Sequence, residues 1–151
     1  MTVKEFVEEY NKATNKTALV GKHIKTDYLP YEQKIALAKS IVNATMYQEI
    51  DNTKKFVFNT PAMYLMTIRA VIEQYTDLEW TDPENILEEF NLLERYMITE
   101  EVINKTNGDY TRFATVLNMV KDDRIDLERS LVSFFDNKID ALGLALDTIS
   151  K

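Results

Sequence analysis

Few residues in this 151-residue chain have the chemistry to catalyse a reaction or hold a metal, and those few are poorly grouped. His23 is the single histidine, so a Ser-His-Asp triad could be built only around it, and no two-histidine metal site can form within one chain. Its neighbours Gly21, Lys22, Ile24 and Lys25 supply no nucleophile elbow, and it reads as a surface or packing histidine. The absence of cysteine removes thiolate catalysis, disulfides and sulfur metal sites together. The three glycines, Gly21, Gly108 and Gly143, are isolated. That spacing excludes both the Gly-x-x-x-x-Gly-Lys loop and the Gly-x-Gly-x-x-Gly turn, the two familiar backbone cradles for phosphate.

Carboxylates are the remaining chemistry, since facing helices can hold magnesium or iron between acidic side chains. Glu88, Glu89 and Glu94 form one group and Asp122, Asp123 and Asp126 another. Asp123-x-x-Asp126 has a helical ligand spacing and is reminiscent of the acidic helices of all-α nucleotide pyrophosphatases. The Glu-rich signature of those enzymes is missing, and so is the Glu-x-x-His pair of di-iron bundles. A metal-dependent nucleotide hydrolase is therefore a secondary alternative, which predicts magnesium-dependent turnover that disappears in Asp123→Ala. The default reading of these charges is a solvated acidic face, with no metal and no cofactor.

A net charge of −7 disfavours a general affinity for nucleic acid, which depends on clustered Lys and Arg. Most of the aromatic residues fall at helical core spacing and are not interleaved with basic ones, so they read as packing and not as base-stacking platforms. Apolar residues make up 45% and charged residues 28%, ordinary values for a globular chain, and no apolar run approaches the ~18 residues of a membrane span. The opening Met1-Thr2-Val3-Lys4-Glu5-Phe6 has neither the basic start nor the apolar run of a secretory signal. Three glycines and three prolines are few for this length, and their scarcity predicts regular structure with short joints.

The elements that would position any site are helical. Thr2 and Glu5 have capping-box spacing ahead of a stripe at Val3, Phe6, Val7 and Tyr10, in a helix ending near Asn15. Residues 16–29 read as a connector with one short helical turn. Pro30 opens a second helix carrying Ile35, Ala38, Ile41, Val42 and Thr45. Residues 46–50 and 55–58 are rich in β-branched and aromatic side chains, and Asp51-Asn52-Thr53-Lys54 between them predicts the turn of a small hairpin. Thr60 as the cap and Pro61 in the first turn open a helix bearing Tyr64, Leu65, Ile68, Val71, Ile72 and Tyr75, expected at the centre of the core. Thr81 or Asp82 caps the next, with Pro83 in its first turn. Thr99 then starts a shorter helix with Ile98 as a staple to Ile103, and Asn107-Gly108 stops it.

Residues 109–151 carry the strongest functional hint. Capped by Asp109, they repeat apolar residues at alternating steps of three and four through Tyr110, Phe113, Leu117, Val120, Leu127, Leu131, Phe134, Ala141 and Ala145, with charges at Arg124 and Lys138. One continuous helix would approach ~60 Å. A break near residues 121–126 would instead turn the segment back as a hairpin, and Gly143 could also bend it. A continuous helix would outrun the short helices that cover it, leaving part of its stripe for another chain. Tyr110, Phe113, Leu117, Leu131, Phe134 and Phe135 are the interface candidates.

Three stretches taken together carry a resemblance. They are Tyr28-Leu29-Pro30-Tyr31-Glu32-Gln33-Lys34, Asn59-Thr60-Pro61-Ala62-Met63-Tyr64-Leu65, and Arg129-Ser130-Leu131-Val132-Ser133-Phe134-Phe135 running on to Ile139-Asp140-Ala141-Leu142-Gly143-Leu144. The chain resembles a group of small proteins encoded by phages and prophages of low-GC Gram-positive bacteria. That group has no assigned catalytic motif, so the resemblance transfers no functional residue. It implies a phage setting, in the virion or the host cytoplasm, in which small acidic helical proteins serve as virion or assembly components, for example at the head–tail region. The expectation is thus a mainly α single domain, 1–151, of about six helices with one β-hairpin and a long C-terminal helix. It would act without catalysis, through contacts with itself or another phage protein. The main alternative is an acidic phage inhibitor that binds a host protein, and a host-lysate pull-down recovering no protein would sink it.

Overall fold

The computed structural model describes the backbone of residues 1–149 and the side chains of residues 1–145. The chain is mainly α. Its elements run α1 (Val3–Lys12), α2 (Lys16–Lys22), α3 (Tyr31–Thr45), β1 (Tyr47–Ile50), β2 (Thr53–Phe56), α4 (Thr60–Tyr75), α5 (Leu87–Arg95), α6 (Ile98–Asn104) and α7 (Asp109–Ile149). The expected capping box opens α1: the Glu5 N–H donates to the Thr2 hydroxyl at 3.3 Å, and the Thr2 N–H to the Glu5 carboxylate at 2.8 Å. The supposed connector holds a further helix, α2, because Asn15 caps it by accepting from the Ala18 N–H at 3.0 Å. Leu19 and Val20 bury one side of its two turns, so a short helix survives through packing and not through propensity.

The hairpin forms, with a tighter turn than expected. Tyr47 pairs with Phe56 and Ile50 with Thr53, leaving Asp51 and Asn52 as a two-residue loop at φ 53° and 57°. Asp and Asn tolerate positive φ, and that conformation matches the twist of paired strands. Val57 and Phe58 therefore lie beyond β2. Asn59, and not Thr60, caps α4 by accepting from the Ala62 N–H at 3.0 Å. Pro83 does not open a helix. The Asp82 carboxylate accepts from the Glu84 and Asn85 N–H groups, folding residues 82–85 into a turn ahead of α5. Ile98 is the first residue of α6 and wholly buried, so it packs directly and staples nothing from outside the helix.

Two apolar clusters make the interior. Phe6, Val20, Ile72, Tyr75, Leu93, Ile98 and Val102 centre one of them, uniting α1, α2, α4, α5 and α6. The other joins α3, α4 and the first turns of α7 through Ala38, Ile41, Val42, Met46, Met63, Phe113, Val116 and Leu117. Leu37 and Tyr110 pack against both. Glu89 is a buried exception on α5. Its carboxylate accepts from the Lys4 N–H, the Thr81 N–H and the Thr81 hydroxyl, tying the start of α1 to the joint before α5.

Candidate functional site: the two halves of the terminal helix

The terminal segment is one helix, unbroken at residues 121–126 and at Gly143. At about 1.5 Å per residue its 41 residues span ~60 Å. Its start is fixed by Asp109, whose carboxylate does not cap α7 as the sequence suggests. It is almost fully buried and accepts instead from Lys34 Nζ at 2.7 Å, the Leu29 N–H at 2.9 Å and the Tyr75 hydroxyl at 2.9 Å. Lys34, also buried, donates to the Leu29 carbonyl as well. The capping role passes to Thr106, whose hydroxyl accepts from the Tyr110 N–H at 3.3 Å.

Burial alone would push the Asp109 carboxyl up. The bonds from Lys34, Leu29 and Tyr75, with the Lys34 charge, outweigh it and hold the group below its ordinary value. Tyr75 moves the other way: burial, then the bond to Asp109 and its charge, raise the phenol far above its usual range and keep it a donor. A negative charge also suits the positive end of a helix dipole. One ion pair thus joins α3, α4 and α7 at the point where the long helix starts.

Cover on α7 stops near residue 125. Phe113, Val116 and Leu117 are buried, and Val120 and Ile125 are partly buried. At the margin, Tyr47 of β1 donates to Glu128 at 2.6 Å and accepts from Arg124 at 2.9 Å, while the Arg124 guanidinium lies over its ring. Burial and then the Glu128 bond raise the Tyr47 phenol, against the lowering effect of Arg124. Arg124, a charge on the apolar seam, is therefore used to clasp the hairpin to the helix.

Beyond this clasp every described side chain of residues 126–145 is exposed except half-buried Glu128. Leu127, Leu131, Val132, Phe134, Phe135, Ile139 and Leu142 are each 44–65% exposed. At 100° per residue they occupy close to half the circumference, continuing the line of Phe113 and Leu117. Asp126, Arg129, Ser130, Ser133, Asp136, Asn137 and Asp140 occupy the opposite side. An open groove of about 830 Å³ runs beside this segment, between Phe56 and Phe58 of the hairpin region and Ile125, Arg129, Val132 and Asp136. Ile50, Phe56, Val57 and Phe58 extend the exposed apolar surface onto the hairpin.

The six interface candidates divide between the halves. Phe113 and Leu117 are enclosed and Tyr110 is partly buried between the two clusters, so these three serve the fold of the chain itself. Leu131, Phe134 and Phe135 are exposed together on the far half. Val132, Ile139 and Leu142 belong to the same exposed face although none is among the six candidates, and their spacing of three and four around Phe135 carries the same signal as the stripe beside it. The exposed residues of the hairpin had no such signal, because a two-stranded hairpin reads alike whether covered or bare.

The remaining chemistry is dispersed. His23 Nδ1 meets Asp77 at 2.8 Å while its ring packs edge-on against Phe6, a packing role. Glu88 pairs with Lys4, Glu89 is buried among its donors, and Glu94 accepts from Tyr64. Asp122, Asp123 and Asp126 are exposed on α7. Among the described residues no group of three His, Cys, Asp or Glu comes together to hold a metal, and no helix is long and apolar enough to cross a membrane. No protein-family model, curated protein or solved structure matches the chain.

Proposed function

We propose that this protein is a non-enzymatic component of phage assembly that works through protein–protein contacts made by the far half of α7. The observation carrying this reading is the exposed stripe from Leu127 to Leu142. Seven large apolar side chains, each 44–65% exposed, lie together on one helix, the kind of grouped apolar surface that characterises protein interaction sites. Exposed Leu and Phe at this density reduce solubility unless a partner covers them. The phage setting rests on the resemblance of the three sequence stretches and on the small, acidic, helical character of the chain.

Mass spectrometry of particles and assembly intermediates purified from a phage that encodes the chain tests the proposal. The chain is expected in at least one of them, and Leu131→Asp combined with Phe135→Asp is expected to deplete it there. Absence from particles and intermediates alike would overturn the assembly role.

A further inference from the structure

The far half of α7 has two charges inside its apolar arc, Glu128 and Lys138. With Glu128, Phe135 and Leu142 as the a positions of a heptad, Leu131, Lys138 and Ala145 fall on d. In an antiparallel pair each a residue shares a core layer with a d residue of the other helix. A two-fold axis at the level of residue 133 then sets Phe135 against Leu131 of the second copy, and Glu128 against Lys138, each contact occurring twice. Val132 and Phe134 meet their own counterparts beside the axis. A parallel, in-register pair would bring Glu128 onto Glu128 and Lys138 onto Lys138.

We propose that the occupant of this face is a second copy of the same chain, paired antiparallel about residue 133, with reciprocal Glu128–Lys138 contacts closing the seam. This rests on the reading of the far half of α7 as an interaction surface and adds its partner and orientation. The symmetry agrees: a self-complementary pattern of charge is what an isologous contact requires. The Glu128 carboxylate is already oriented by Tyr47, and the Lys138 ammonium rests over the Phe134 ring of its own helix, within reach of the seam. The C-terminal turns of the second copy, from Ala141, reach the level of Ile125, where the hairpin exposes Phe56, Val57 and Phe58.

Light scattering across a concentration series of the purified full chain tests this. The wild type is expected to pass from one to two copies, and E128K and K138E alone each to weaken pairing by at least about tenfold. The double swap E128K/K138E is expected to restore it, because antiparallel layers regain opposite charges, whereas parallel layers would stay like-charged. Thermal melting of each variant checks that the fold survives the loss of the Tyr47–Glu128 bond. L131D/F135D, which alters only exposed side chains, should abolish pairing and leave the melt of dilute protein unchanged. A wild type monomeric up to about 1 mM overturns the proposal. So does a double swap that pairs no better than the single variants. A chain that stays monomeric yet enters particles, and loses that ability in L131D/F135D, overturns self-pairing while leaving the interaction surface intact.

Discussion

The two halves of α7 have nearly the same apolar pattern and opposite surroundings. In the first, Phe113 and Leu117 meet α3 and α4, and Asp109 is locked to Lys34 and Tyr75. In the second, Leu131 and Phe134 continue the same line into solvent. Periodicity therefore tells which side of a helix seeks cover without telling who provides it. The boundary is set by the lengths of the other elements: α3 and the hairpin end, and among the described residues the last hydrogen bonds from the body to the helix are those of Tyr47 with Arg124 and Glu128.

The sharpest way to test the contrast is to make the same substitution on each side. Phe113→Ala is expected to cost about 3–5 kcal/mol through lost burial and a cavity. Phe134→Ala, in dilute protein, should change stability by no more than about 0.5 kcal/mol. Denaturant titrations of both variants check this, and comparable losses would erase the distinction. Lys34→Ala should also cost about 3–5 kcal/mol, because it leaves the Asp109 carboxylate buried without its cation.

The same pair gives a pH signature. Asp109 titrates lower in the folded chain than the ~3.9 of an unfolded carboxyl. Its contribution is complete above the unfolded value and is lost as pH falls through the folded value. The difference in melting temperature between wild type and Asp109→Asn should hold steady between about pH 5 and 8 and close below about pH 4. A gap that persists to lower pH would show that Asp109 acts through shape alone.

Much of this arrangement was legible in the sequence, for physical reasons. The capping box at Thr2 and Glu5, the hairpin and the presence of a long terminal helix follow from local chemistry and spacing, which act within a few residues. The continuity of that helix does not, because the charges at residues 121–124 interrupt the apolar pattern and a hairpin also fitted the sequence. Pro83 misled because proline's fixed φ suits a turn as well as a first helical turn, and the Asp82 carboxylate favoured the turn. Asp109 was legible as a residue at a helix start but not as a buried ion, since Lys34 lies 75 residues away in the chain. For the same reason the division of the interface candidates had to wait for the fold.

Smaller effects sharpen the boundary itself. Tyr47→Phe removes the hydroxyl between Arg124 and Glu128 and should cost about 1 kcal/mol, with amide exchange rising first near residues 124–128. Gly143→Ala adds a methyl group to open space and should increase helicity by at most about 1 kcal/mol of propensity, seen as a modest gain in helical dichroism. A destabilising Gly143→Ala would mean that the glycine is needed for a close approach, and the pairing scheme would have to change.

Amide hydrogen exchange across a protein concentration series separates the two halves of α7. The stretch of residues 109–125 is expected to be protected at every concentration, while residues 126–145 exchange quickly in dilute protein and gain protection as concentration rises. Protection of residues 126–145 that does not depend on concentration would contradict that division.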